Sequence, residues 1–326
     1  MHYPLEAGEL RLRSDQDWER DLAPVRADRE HGRFEFELPG REAVHYFKPV
    51  LARGGELAWA QGDNALAFAH ERSGTEVFPW FSPDESCHVC TAHTLPASFA
   101  ERGLDVRVFL PRGYDENTLA RFPVLYMQDG KNLFSATDAP AGEHWRIPET
   151  LALLEAMCLV RRVIVVGIAP SERMRDYTQP GYEAYGRWLV EELEPWVARH
   201  YRTLSGPENR AVMGSSLGGV VSFYLAWQHA DVFGGVAALS ATFGYQDDLV
   251  ARVLGEKRRS IRVYLDSGWP RDNYEATRGM AAALKRRGFQ AGCDLLHLAH
   301  PLARHDERAW AARVHVPLQF LLGSNG

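Results

Sequence analysis

Cysteine is scarce in this chain: the 326 residues hold four, Cys87, Cys90, Cys158 and Cys293. They are too few and too scattered for a disulfide framework, so the fold must rest on a hydrophobic core, and a reducing compartment fits. Long apolar runs are missing as well. None approaches the roughly 18 residues that cross a bilayer, and the N-terminal stretch "MHYPLEAGELRLRSDQDWERD" carries charge throughout, with no signal-peptide core. A cytoplasmic protein without a membrane partner is therefore expected. Excess positive charge is absent too. The net charge is −6, with 37 Lys and Arg scattered among 43 Asp and Glu, so no basic stripe exists to neutralise phosphates and nucleic acid is disfavoured as a partner. Only one CxxC occurs, in "CHVC" beside His88 and His93. That is half of a zinc site, and without a second pair the expected role is structural, with no metal or cofactor.

What the chain does have is an ordinary globular composition, 45% hydrophobic and 25% charged, in a length that suits one small domain plus one of about 200 to 250 residues. Its character changes near residue 95. Before that point, short β-rich runs ("GELRLR", "RFEFEL", "VHYFKPVLA", "ELAWA", "TEVFPWF") alternate with Gly, Pro and Asp clusters, the pattern of an antiparallel β-sandwich. After it, "DVRVFLP", "FPVLYMQ", "RRVIVVGI", "NRAVMG", "GGVAALSA", "IRVYLDSG" and "CDLLHLA" read as buried strands. Helices with apolar residues three and four apart lie between them, and a last helix spans "DERAWAARVHVPLQFLL". The expected fold class is α/β, a mostly parallel sheet covered on both faces. Residues 1–94 form the small β domain and residues 95–326 the larger one.

Within the larger domain, "RAVMGSSLGGVV" sets Gly214-Ser215-Ser216-Leu217-Gly218 between a strand and a helix. This is G-x-S-x-G in the context that a nucleophile elbow requires: a sharp turn presents the Ser216 hydroxyl, and the helix N-terminus behind it favours developing negative charge. A serine is a poor nucleophile alone and needs a base and a group to orient that base. In this fold the acid and then the histidine follow the serine in the chain. The histidine is sought between the last strand and the last helix, where His305 leads and His300 is the alternative. The acid is sought after "IRVYLDSG", where Asp272 leads and Asp266 or Glu275 are alternatives. The oxyanion donors expected are the backbone N–H groups of Leu217 and of Lys131, the latter in "YMQDGKNLF", where Gly130 permits close backbone approach. Trp80, Phe81, Trp145 and Trp269 are aromatic candidates for an apolar cleft. Arg173 and Arg175 follow a strand end, where guanidinium groups can hold an anionic or aryl ester.

Together "DVRVFLPRGYDE", "FPVLYMQDGKNLF", "VMGSSLGG", "VYLDSG" and "HDERAW" resemble the Putative esterase family of α/β-hydrolases, which includes enterochelin esterases, S-formylglutathione hydrolases, feruloyl esterases and mycolyltransferases. The resemblance covers about residues 104 to 323. It is strongest to the enterochelin-esterase branch, because "YFKPVL" and "WAQGDN" resemble the Ig-like, early-set β-sandwich that precedes the hydrolase domain there. The resemblance implies Ser216, His305 and Asp272 as the triad and Lys131 as an oxyanion donor. It also implies that "ERMRDYTQ" brings Arg173, Asp176 and Tyr177 to the site rim.

The expected function is a serine carboxylic-ester hydrolase acting on a small-molecule ester through an acyl-enzyme. Three alternatives are an acyltransferase with the same triad, a feruloyl or acetyl sugar esterase, and a carbohydrate-binding module attached to an inactive hydrolase fold. The N-terminal domain is read as a carbohydrate-binding, dimerisation or cleft-wall element, which makes a homodimer one expected assembly.

Overall fold

The structure is a computed structural model that describes residues 1–38, 40, 42–69, 74–84 and 86–323. Its contacts divide the chain into two units, Met1–Cys87 with Pro111–Arg121, and His88–Leu110 with Phe122–Gly326. The change of sequence character near residue 95 falls seven residues or so past that division, inside a strand of the second unit.

The first unit is built from short antiparallel strands: β1 (Glu9–Ser14), β2 (Asp17–Leu22), β3 (Arg26–Asp28), β4 (Arg33–Glu35), β5 (Val44–Arg53), β6 (Glu56–Trp59) and β7 (Ala65–Phe68). Five form one sheet in the order β2-β1-β5-β6 with β7 also on β5, and β3 pairs with β4. The period-2 pattern of β1 explains its place. Leu10 and Leu12 turn inward opposite Leu51 and Pro49, while Arg11 and Arg13 turn outward and share Asp21 at 2.6 Å each. Leu5, Leu10, Phe34, Leu51, Ala60 and Phe81 make the core. The segment Pro111–Arg121 belongs here through buried Asn117, whose Nδ2 donates to the carbonyls of His2 and Pro79. "TEVFPWF" is not a strand. Pro79 lacks an N–H, and in place of a ladder the run takes isolated backbone bonds, such as those from His2 N–H to the Val77 carbonyl and from Gln61 N–H to the Trp80 carbonyl.

The second unit holds β8 (His88–Val89), β9 (His93–Ala97), β10 (Ala100–Leu110), β11 (Val124–Gln128), β12 (Ile164–Ala169), β13 (Arg210–Ser215), β14 (Gly235–Leu239), β15 (Arg262–Trp269) and β16 (Leu295–Pro301). Its helices are α1 (Ile147–Ala156), α2 (Arg173–Asp176), α3 (Gly181–Trp188), α4 (Glu194–His200), α5 (Leu217–Gln228), α6 (Leu249–Gly255), α7 (Tyr274–Arg286), α8 (Glu307–Arg313) and α9 (His315–Leu322). The sheet runs β16-β15-β14-β13-β11-β12-β10-β8, with β9 also on β10. From β16 to β12 every pairing is parallel, and β10 runs antiparallel to β12. Every residue of β11, β12 and β14 is buried, as expected for strands covered on both faces. The expected last helix is two, α8 and α9, because Val314 ends one and Pro317 sits in the first turn of the next, where its missing N–H costs nothing. Among the described residues no helix is long and apolar enough to cross a membrane.

One topological feature positions the site. From β11 the chain moves outward to β12, then returns to β13 on the other side of β11 and continues to β14, β15 and β16. The carboxyl ends of β11 and β13 thus lie side by side at the switch of direction, where open α/β sheets form a ligand crevice.

Candidate active site

Ser216 follows β13 directly and caps α5, with φ 56° and ψ −124°. A side chain in that region stores of order 1 to 3 kcal/mol of strain and persists only if its surroundings hold it. They do: the Ser216 N–H donates to the Leu239 carbonyl at 2.9 Å, and the Ser216 carbonyl accepts from Gly219 and Val220 at the start of α5. The turn is so tight that a Cβ on Gly214 would lie 2.4 Å from the Gly218 carbonyl oxygen. That contact explains the glycine before the two serines.

Two distant loops meet this serine. Asp306 caps α8 by accepting from the Ala309 N–H at 2.8 Å, which fixes His305 immediately ahead of the helix. His305 Nε2 lies 2.9 Å from Ser216 Oγ, and His305 Nδ1 lies 2.5 Å from Asp272 Oδ1. An ionised carboxylate can only accept, so Nδ1 carries the proton and Nε2 is left to accept from the serine. The imidazole and the Trp310 ring meet nearly at right angles, with ring centroids 5.1 Å apart. Asp272 sits in the turn after β15, at φ 65°. Burial disfavours its charge, but hydrogen bonds from His305, Ser240 Oγ (2.6 Å) and the Gly268 N–H (2.8 Å) prevail and hold its carboxyl below the ordinary range.

The alternatives take other places. Asp266 is fully buried and bonded to Arg313, at 3.0 Å from Nε and 3.2 Å from Nη2, and to the Tyr264 hydroxyl at 2.9 Å. His300 Nε2 is 3.7 Å from Asp266, and burial lowers that imidazole's pKa. Glu275 pairs with Arg278 on the exposed face of α7.

Across from the serine, Asp129 takes a left-handed conformation (φ 54°) after β11 and opens the 3₁₀ turn Gly130–Asn132. A Cβ on Gly130 would lie 2.6 Å from the Gly167 carbonyl carbon, so glycine lets this turn lie against β12. The turn carries Lys131 to the serine. Lys131, Ser216 and His305 line one cavity of about 500 Å³ together with Ala169, Pro170 and Glu307. Leu217 is the first residue of α5, where a backbone N–H has no partner within its helix.

The rim expectations need correction. Arg173 lines the cavity, but its guanidinium grips Asp129 at 2.8 and 2.9 Å and stacks 5.5 Å from the Tyr177 ring, so it is held by the protein. Tyr177 is fully buried, not at a rim. Its hydroxyl accepts from the Asp129 N–H at 3.1 Å, and burial pushes its pKa far up. Asp176 is likewise buried and holds Arg175 and the Glu172 N–H. Trp269 is 49% exposed and outside the cavity lining. Trp145 is buried against Trp310, and Phe81 lies in the core of the first unit. Missed by the sequence reading were Ser240, Trp310 and Arg313. Ser240 could have been flagged, because it follows a buried strand at the carboxyl edge of the sheet. Among the described residues no group of three or more His, Cys, Asp or Glu could hold a metal.

A mostly parallel sheet with helices between its strands and a serine on the sharp turn after a central strand defines the α/β-hydrolase fold. The chain belongs to the family described as Putative esterase, whose model matches residues 98–316. A curated relative, the uncharacterized protein YbbA of Bacillus subtilis, is 22% identical over 245 residues, 67% of this chain and 92% of its own. Among solved structures, a ferulic acid esterase superposes with a TM-score of 0.62 at 20% identity, covering 73% of this chain and 98% of its own. The ferric enterobactin esterase of Salmonella typhimurium gives 0.57 at 20%, covering 74% and 59%. At such identities the structural likeness speaks for the fold.

Proposed function

We propose that this protein is a serine carboxylic-ester hydrolase that works through an acyl-enzyme. The observation that carries the reading is the unbroken hydrogen-bond chain from Ser216 Oγ through His305 to Asp272, at 2.9 and 2.5 Å. In this scheme Ser216 Oγ attacks the ester carbonyl carbon while His305 Nε2 takes its proton, and Asp272 fixes the tautomer and stabilises the imidazolium. The Leu217 and Lys131 N–H groups hold the oxyanion of the tetrahedral intermediate. Its collapse breaks the ester C–O bond, and the alcohol leaves with the proton from His305. Water then attacks the acyl-enzyme carbonyl and gives His305 a proton. The second intermediate releases the carboxylic acid as that proton returns to Ser216. Every step uses side chains and backbone N–H groups alone.

The substrate class proposed is an ester of an aryl-bearing acid, in keeping with the ferulic acid esterase that shares the fold. A cavity of about 500 Å³ with Ala169, Pro170 and Trp310 in its wall has room for an aryl acyl group.

The test is a panel of p-nitrophenyl acetate, methyl ferulate and catechol-acid esters, with fluorophosphonate labelling. Turnover and labelling are expected in the wild type, and both should vanish in Ser216→Ala. Labelling that survives in that variant refutes the assignment. Turnover of acetate esters alone removes the aromatic substrate class.

A further inference from the structure

We propose that Ser240, Arg313 and Asp266 form a positioning relay that locks Asp272 so that only one carboxylate oxygen faces His305. This deepens, and rests on, the triad reading above. Ser240 follows β14 at φ 46° and is fully buried. Its backbone is held at both ends, since its N–H donates to the Asp266 carbonyl at 2.8 Å and its carbonyl accepts from Asn273 Nδ2 at 2.8 Å.

The hydroxyl makes three contacts: Trp310 Nε1 at 3.0 Å, Arg313 Nη2 at 2.7 Å and Asp272 Oδ2 at 2.6 Å. An indole N–H and a guanidinium can only donate, so they take the two lone pairs of Ser240 Oγ. The single hydroxyl proton is then left for Asp272. A group that ordinarily rotates is thereby fixed as a donor. Ser240 and the Gly268 N–H occupy Asp272 Oδ2, which leaves Oδ1 for the imidazole.

Arg313 is the other half of the device. It is 4% exposed, and its fork is closed on Asp266 while Nη2 stays 3.7 Å from Asp272 Oδ2. Asp266 thus holds a buried cation beside the Asp272–His305 pair without letting it capture the carboxylate that His305 needs. The other charged and titratable groups facing this pair are His300 at the end of β16, Glu307 on α8, and Lys131 with the Asp129–Arg173 pair across the cavity.

The test uses the full-length chain and an ester that the wild type turns over. Ser240→Ala should lower kcat by about 10- to 100-fold with KM within about twofold, the pattern of a misplaced base rather than lost binding. Two charge variants should move the acid limb of the kcat/KM profile in opposite directions. Arg313→Met leaves the Asp266 charge uncompensated beside the imidazolium, so the limb moves to higher pH. Asp266→Asn leaves the Arg313 charge uncompensated, so it moves to lower pH. Should a single variant fold poorly, the Asp266→Asn/Arg313→Met double variant restores charge balance. It should recover much of the thermal stability and yet keep kcat about 10-fold low, because the serine hydroxyl is no longer held on one side. Wild-type kcat in Ser240→Ala, limb shifts of the same sign, or a double variant that recovers both stability and kcat overturns the relay. An active, labelled Ser216→Ala refutes the triad beneath it. An inactive Ser216→Ala beside a wild-type Ser240→Ala refutes the relay alone.

Discussion

The serine side and the acid side of this site are built in opposite ways. On the serine side, strand end, strained turn and helix start follow one another from Met213 to Leu217, and the tightest steric demand, that of Gly214 against the Gly218 carbonyl oxygen, arises between near chain neighbours. On the acid side, Asp272 depends on Ser240, 32 positions away, and on His305, 33 positions away, while Ser240 depends on Arg313 at a separation of 73. The serine side is a piece of backbone geometry, whereas the acid side is a hydrogen-bonded network that exists only once three loops and α8 have met. Damage to the first should act through the backbone, and damage to the second through orientation and charge.

The largest effect expected on the acid side is that of Asp272→Asn. An amide there offers Nδ1 a donor as readily as an acceptor and leaves the wrong imidazole tautomer populated, a loss of about 10⁴ in kcat. Asp266→Asn should cost far less in kcat, since Asp266 touches Arg313 and not His305. Steady-state kinetics on variants with wild-type circular dichroism decide the ranking, and the reverse order would move the acid to Asp266.

Backbone damage opposite the serine should come next. In Gly130→Ala the new methyl must displace the β12 backbone at Gly167, which shifts the turn that carries the Lys131 N–H. Loss of one oxyanion donor is worth about 10² to 10³ in kcat. The expected signature is a fall in kcat for every ester, with fluorophosphonate labelling slowed but retained. A wild-type rate would show that the oxyanion is held elsewhere.

Legibility in the sequence follows the same division. The elbow is readable from "GSSLGG" between an apolar run and a helix, because the clash between Gly214 and Gly218 is local. His305 is readable from its place before a capped helix, and Asp272 from its place beyond a strand-ending turn. The alternation of buried strands and helices shows the sheet as well. Ser240 is marked only by its place after a buried strand, and Arg313 not at all, because an arginine on a helix is ordinary until folding joins the two. The ion pair of Arg173 is hidden in the sequence for the same reason. A strand-end arginine suggests a ligand contact, but Asp129, 44 positions earlier, already holds its guanidinium.

That ion pair yields a third expectation, of smaller size. If Arg173 served an anionic substrate, Arg173→Ala would raise KM for charged esters only. Because it pins Asp129 and stacks on Tyr177, the loss should instead be uniform, about 10-fold in kcat/KM for neutral and anionic esters alike. Parallel measurements on p-nitrophenyl acetate and a carboxylate-bearing analogue separate the two. A selective KM change would return Arg173 to substrate binding.

The smallest effect should come from the serine beside the nucleophile. Ser215 ends β13 with ordinary strand pairing to Leu239, and Arg173 contacts only its carbonyl, at 3.5 Å. Its neighbour alone has the strained backbone that aims a hydroxyl at His305 Nε2. Ser215→Ala keeps the Cβ and the backbone, so the turn should survive, with kcat within about threefold of wild type and full fluorophosphonate labelling. Tandem mass spectrometry of the labelled peptide provides the sharper reading, since both serines lie on one fragment and only one can carry the phosphonate. A label on Ser215, or its loss in Ser215→Ala, would mean that the elbow presents the other hydroxyl and that the strain at Ser216 serves the turn alone.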